Sequence, residues 1–359
     1  MDWKWPVVFM AAAFLVSLSA PSHDCNFPAI YNFGDSNSDT GSASALFFRL
    51  PPPNGMTYFA KPVGRYCDGR LIIDFIAEKL KLPFLSPYMD SIEGDFRHGA
   101  NFAVGGSTAQ PANLTIFKAG FGIFSLDIQI LQFQQLKDRT NEIYNREEGS
   151  LNKGRIPRPE DFSKALYTLD IGQNDLHFAL TTMSEKEVKE SIPDIVHRYT
   201  LAIEKLYLEG ARTFWIHNTG PIGCLPTFVL QHPQLEEIDE IGCIRSYNEV
   251  AQEFNTQLRE KVNFLRSRLK EATLILIDIY SAKYSLISNA EKNGFVDRFG
   301  YCCGNLRVEP KVYCWSKKVV NGTEVFPSHC SDPLKYISWD GTHYTEAANR
   351  WVANRVMDG

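Results

Sequence analysis

Four short, continuous apolar runs, at residues 29–33, 165–171, 213–216 and 274–279, alternate with longer segments of helical periodicity. Runs of this length without polar alternation suit strands covered on both faces, as in parallel sheets. The clearest helical segment spans 244–270, where Val250, Phe254, Leu258, Val262, Leu265 and Leu269 recur at spacings of three and four. That stripe is core packing. Leu71, Ile72, Phe75, Ile76 and Leu80 form a second stripe ahead of Pro83, and a third over 195–208 leads through Gly210 into the strand at Thr213. The alternation predicts an α/β fold of three layers, α/β/α, around a mostly parallel central sheet. At 359 residues the chain can bury a large core. No repeat or linker divides it, so 21–359 reads as a single domain.

The first strand runs into Phe33-Gly34-Asp35-Ser36-Asn37-Ser38-Asp39-Thr40-Gly41. A serine at the carboxyl end of a strand, on a tight glycine-flanked turn into a helix, is where an open α/β sheet presents a nucleophile. Asp35, Asn37, Ser38 and Asp39 are equally ordinary as turn and cap residues. The far end of the chain decides between these readings. It carries Trp339-Asp340-Gly341-Thr342-His343-Tyr344-Thr345. A nucleophilic serine needs a base to take its proton and a carboxylate to orient that base. Asp340 and His343 stand three apart on a loop entering a helix over 345–356, and both can face the same way. Two further segments fit acyl transfer. The small-residue loop from Asn101 to Ser107, with Gly105 and Gly106, can aim a backbone N–H at a developing oxyanion. Asn174, in Gly172-Gln173-Asn174-Asp175 after the strand at 165–171, offers a side-chain amide as a second donor, although Asn174 and Asp175 read equally well as helix caps.

These four blocks, in this order, resemble the GDSL esterase/lipase family, also called SGNH hydrolases, and particularly its plant branch. The resemblance extends over the chain from Phe27 to about Val356. It implies Ser36 as nucleophile, His343 as general base and Asp340 as the partner of that base. It implies an oxyanion hole made of the Ser36 and Gly106 N–H groups and the Asn174 side chain, with no cofactor and no metal. The name motif has Leu after the serine where this chain has Asn37, which points to a subgroup with nodulin-like and fucosidase-named members. Cys67 stands where the resemblance leads one to expect serine, implying a free thiol.

Residues 1–20 carry Lys4, an apolar run over 6–18 and the small residues Ser17, Ser19 and Ala20, the pattern of a cleaved signal peptide. The run is short of the roughly 20 residues a membrane span needs, so no stable membrane insertion is expected. Eight cysteines suit a secreted protein of the cell wall or secretory pathway. A local bridge Cys224–Cys243 is favoured, with further bridges inside the Cys302–Cys330 cluster. Adjacent Cys302 and Cys303 lack the gap of zinc motifs. Asn113-Leu114-Thr115 and Asn321-Gly322-Thr323 are N-glycosylation acceptors. A net charge of −5 with no basic block argues against nucleic acid as a partner, and a monomer is expected.

The resemblance implies two-step hydrolysis of a small-molecule or polysaccharide ester, and secretion without a membrane-binding stretch favours acetyl or other short acyl esters of plant carbohydrates or metabolites. Such chemistry needs its histidine neutral, so acid should silence it. A lipase would need an apolar site mouth, which Phe47, Phe48, Phe117, Phe121 and Phe124 are placed to line, although aromatics more often belong to cores. A glycosidase would need two carboxylates flanking a glycosidic bond. Here Asp340 is better used by His343, and Asp35 and Asp39 look like turn and capping residues. A silent binding protein on a hydrolase scaffold would be expected to have lost one block, and all five positions are present.

Overall fold

A computed structural model describes residues 26–90, 92, 94–111, 124–146, 153–230, 237–305 and 311–358. The signal-peptide reading of 1–20, the acceptor Asn113, Cys25, Phe117 and Phe121 lie outside these residues. Five parallel strands make the central sheet: β1 (Ile30–Gly34), β2 (Gly99–Asn101), β3 (Leu166–Asp170), β4 (Thr213–His217) and β5 (Thr273–Ile277), in the order β2-β1-β3-β4-β5. Their registers bring Gly34 level with Asp170 and His217 level with Ile277. The carboxyl ends of the strands therefore share one edge, where ligands bind in open α/β sheets.

Two packed groups of helices complete the layers. One contains α4 (Leu126–Asn145), α6 (Glu185–Leu208) and α8 (Arg245–Arg268), following α1 (Ser42–Leu46), α2 (Met56–Phe59) and α3 (Ile72–Lys79) in the chain. The other joins α3 to α9 (Ile279–Ser288) and α10 (Glu346–Met357). Between them in sequence lie α5 (Gln173–Thr182) and the single turn α7 (Pro226–Val229). The predicted three-layer arrangement is the one observed. Under β1 and β3, Tyr31, Phe33 and Tyr167 meet Phe133 of α4 edge-on at 5.2 to 5.9 Å between ring centroids. Each such pair contributes about 0.5–1.5 kcal/mol beyond the area it buries.

Three elements differ from the sequence expectation. Strand β2 lies where no strand was expected, ending at the first residue of the loop read over Asn101 to Ser107, because three residues ending in Asn carry no apolar run. Helix α6 begins at Glu185 rather than near Ile195. Pro193 interrupts the pattern inside it, while Ser184 and Glu187 close a capping box at its true start. Strand β5 is an edge strand, with Thr273 and Ile275 exposed, so only one of its faces is well covered.

The cysteines form bridges Cys224–Cys243, Cys302–Cys330 and Cys303–Cys314. Cys67 is a buried free thiol whose pKa burial pushes up, which keeps it in the inert thiol form. The Cys302–Cys330 segment is tied to the loop before α10. Both the Cys302 and Cys303 N–H groups donate to the Trp339 carbonyl, at 2.9 and 2.6 Å. After β6 (Asp297–Tyr301), Asn321 and Gly322, with φ of 49° and 79°, make the two-residue turn joining β7 (Lys318–Val320) to β8 (Thr323–Val325). Asn321 is exposed there.

Candidate active site

Ser36 sits one turn beyond β1, at the carboxyl edge of the sheet. The turn is tight because Gly34 has no side chain: a Cβ there would meet the Asp170 carbonyl oxygen at 2.5 Å and Ser38 Oγ at 2.7 Å. Asp35 Oδ1 accepts from the Asn37 N–H at 2.9 Å, and the Ser38 N–H donates to the Asp35 carbonyl at 3.1 Å. From the other end of the chain, strand β9 (Tyr336–Ser338) feeds a loop closed by Trp339 N–H donating to the His343 carbonyl at 2.8 Å. Thr345 then caps α10 by accepting from the Ala348 N–H. This loop brings His343 Nε2 to 2.8 Å from Ser36 Oγ and His343 Nδ1 to 2.6 Å from Asp340 Oδ2.

An ionised carboxylate can only accept, so Nδ1 carries the ring proton and Nε2 accepts from the Ser36 hydroxyl. Asp340 Oδ1 is occupied separately by the N–H groups of Thr342 (3.0 Å) and His343 (2.7 Å). Burial works against charge on Asp340, yet the His343 ring and these N–H groups outweigh it and hold the carboxyl below its usual range. The serine hydroxyl can pass its proton to the imidazole, and the carboxylate can stabilise the resulting cation.

Two oxyanion candidates named from sequence lie close by. Gly106 adopts φ of 80°, a conformation other residues resist. Neither its N–H nor that of Ser36 has a partner among the described residues. Asn174, in the first turn of α5, donates one amide proton to the Ser107 carbonyl at 2.9 Å and keeps a second to offer.

Much of what holds these groups was not read from the sequence. Asp39 accepts from the N–H groups of Gly41, Ser42 and Ala43 and from Gly105 at 2.8 Å, joining the start of α1 to the Gly105-Gly106 loop. Gln129 of α4 pairs with both the N–H and the carbonyl of Gly34 and donates to Ser107 Oγ. Asn32 and Asn101 bond each other, Ser38, Thr40 and Thr168 in a buried network behind the turn. A polar residue inside the apolar run at 29–33 was the available signal for Asn32.

Asp175, read as a possible helix cap, instead accepts from the N–H groups of Ala109 (2.8 Å) and Gln110 (3.1 Å). Asp175→Ala would orphan one buried and one part-buried amide at roughly 1–3 kcal/mol each. Urea denaturation should report about 2–6 kcal/mol of lost stability. A loss below 1 kcal/mol would show that these bonds do not fasten the loop.

Asp35, His217 and Lys283 are buried around the partly buried Asp170, whose carboxylate lies 3.8 Å from His217 Nδ1, and Lys283 Nζ is 4.3 Å from the centre of the Tyr344 ring. Burial, reinforced by the charge of Asp170, pushes Asp35 up to about 8, and burial pushes Asp175 up to about 7. Both exceed the ordinary carboxylate value near 4 that applies in the unfolded chain. The folded state therefore binds more protons than the unfolded state between these limits. The stability these two groups contribute is fully present below the unfolded value and is lost as pH rises from there through their folded values, levelling off above about 8. Thermal melts at pH 5, 7 and 9 should show a falling midpoint. A midpoint that rises over this range would contradict these protonation states.

Among the described residues, no group of three or more His, Cys, Asp or Glu side chains is placed to hold a metal, and no helix is long and apolar enough to cross a membrane.

A parallel sheet with a serine, an imidazole and a carboxylate in line at its carboxyl edge is the arrangement of an α/β hydrolytic enzyme. Comparison with known proteins gives the family. The GDSL-like Lipase/Acylhydrolase profile matches residues 30–356, and the chain belongs to that family. It is 49% identical over 337 residues to a GDSL esterase/lipase of Arabidopsis thaliana, covering 93% of this chain and 87% of the relative. It is 48% identical to the GDSL esterase/lipase ACHE of Zea mays, over 94% of this chain and 86% of that one. It is also 44% identical to a protein named Alpha-L-fucosidase 3 of Arabidopsis thaliana, over 96% and 94%. The chain is an ester-bond hydrolase.

Proposed function

We propose that this hydrolase works through an acyl-enzyme on Ser36. His343 takes the Ser36 proton as the hydroxyl attacks the ester carbonyl, and Asp340 stabilises the imidazolium. The Ser36 and Gly106 N–H groups and the free amide proton of Asn174 receive the oxyanion. His343 then protonates the leaving alcohol, and water repeats the cycle on the acyl group. The observation that carries this reading is the continuous hydrogen-bonded line from Ser36 Oγ through His343 to Asp340, at 2.8 and 2.6 Å. In this proposal the protein is secreted after loss of residues 1–20, is glycosylated at Asn113 and Asn321, and acts as a monomer of one domain.

The favoured substrates are acetyl or other short acyl esters of carbohydrates or plant metabolites. A lipase is the second reading, and one observation favours it. Phe47 and Phe48 are 44% and 46% exposed rather than in the core, and Phe47 meets Phe124 at 6.4 Å. The fucosidase name of one relative suggests a glycosidase, which needs a pair of acids free to act on the sugar. Here Asp39, Asp175 and Asp340 are each committed to the hydrogen bonds described above.

Hydrolysis of p-nitrophenyl acetate, butyrate and palmitate, beside Ser36→Ala and His343→Ala, tests the proposal. Short-chain activity lost in both variants is the expected result, strong palmitate turnover would make the enzyme a lipase, and equal rates in wild type and Ser36→Ala would end the mechanism.

A further inference from the structure

Trp315 lies beside the base. Its indole meets the His343 ring at 84°, with centroids 6.3 Å apart, and stacks on Tyr313 at 4.8 Å and 17°. Tyr313 is 38% exposed and Trp315 is only partly buried, so the pair leaves aromatic surface open to solvent. The pair is also held in place. Cys314, between the two rings in sequence, is bridged to Cys303, whose N–H donates to the Trp339 carbonyl. Asn54 donates to the Cys314 carbonyl at 3.1 Å and accepts from the Trp339 indole N–H at 2.9 Å. The rings are thereby fastened to the loop that carries Asp340 and His343, and little ordering cost remains when a ligand lands on them.

Their position assigns them to one half of the substrate. This assignment rests on the proposed role of His343 as the base of Ser36. That base returns its proton to the departing alcohol oxygen, so groups packed against His343 flank the alcohol half of the ester. At the nucleophile the rim is polar. Asn37 is partly exposed, and its amide lies 3.4 Å from Gln173 Oε1. Rigid aromatic faces beside hydrogen-bonding amides suit a ring with C–H faces and hydroxyl edges. An alkyl chain would offer no hydrogen bond to the Asn37 side-chain oxygen or the Gln173 amide protons, at a cost in desolvation. We propose that Tyr313 and Trp315 are a stacking platform for a pyranose ring, and that the preferred substrates are O-acyl esters of sugars.

The test compares kcat/KM for methyl 2,3,4-tri-O-acetyl-β-xyloside, phenyl acetate and ethyl acetate, the last having an alcohol too small to stack. In Trp315→Ala and Tyr313→Ala, the ratio of xyloside ester to ethyl acetate should fall at least tenfold, and Trp315→Phe should keep most of it. An unchanged ratio overturns the proposal, whether or not both rates fall. A drop confined to the phenyl acetate ratio also overturns it, in favour of flat aromatic alcohols. A second arm needs no turnover: xylotetraose binding to Ser36→Ala protein, by calorimetry, should weaken tenfold on adding Trp315→Ala. Binding that depends on Trp315 in an enzyme that hydrolyses none of the esters would sink the Ser36 and His343 assignment and leave the platform standing. Binding indifferent to Trp315 would sink the platform.

Discussion

Ser36→Ala should lower kcat for a short-chain ester by about 10⁶-fold, the scale seen when the nucleophile of a serine relay is removed. The change deletes one oxygen whose hydrogen bond among the described residues is to His343 Nε2, so the fold should survive it. The Ser36 N–H is part of the backbone and remains, as do Gly106 and Asn174. These proposed oxyanion donors should therefore keep a residual rate of roughly 10³-fold over water. His343→Ala should cost about as much, and the double variant hardly more than either, because the two groups act as one unit. Costs that multiply in the double variant would mean that serine and histidine act independently, contrary to the proposed relay. The measurement is kcat by pre-steady-state and steady-state kinetics, with circular dichroism to establish that each variant is folded.

Asp340→Asn should lower kcat/KM by about 10⁴-fold with little loss of stability. An asparagine can keep its Oδ1 on the N–H groups of Thr342 and His343, which preserves the loop. Its amide nitrogen then faces His343 Nδ1, where the carboxylate oxygen now lies at 2.6 Å. Two donors cannot share that contact, so the ring proton moves to Nε2, and the nitrogen next to Ser36 can no longer accept. The substitution thus separates tautomer control from loop geometry. A fall of less than tenfold with an unchanged thermal midpoint would show that Asp340 only shapes the loop.

The parts of this site that were legible early share a local signature. Ser36 follows an apolar run and a glycine, and Asp340 and His343 stand three apart before a helix, so their roles could be argued from spacing. Asn174 was named in the same way, after the strand β3. The residues that hold these groups have no such signature. Gln129 lies in a long amphipathic helix and reads as one more polar position, yet it clamps Gly34 from 95 residues away. Asp39 and Asp175 looked like caps because capping is what acidic residues do near helix starts. Asp39 does cap α1, but the bonds that fasten the loop carrying Gly106 run 66 residues across the chain from each of them. The cluster of Lys283 with Asp35 and Asp170 was invisible for the same reason, since each residue belongs to a different element.

Local patterning by itself determined the alternation of strand and helix, the parallel sheet it implies, and the chemical types present at each strand's carboxyl end. Side-chain periodicity and turn chemistry act over a few residues, and one chain is enough to read them. The tertiary structure alone decided that Ser36 and His343, 307 residues apart, meet at 2.8 Å. It also decided that Trp315 lies edge-to-face beside His343, and that Phe47 and Phe48 are exposed rather than in the core. Those outcomes depend on strand order, register and the disulfide-bearing segment before β9, through which distant elements are brought into van der Waals contact.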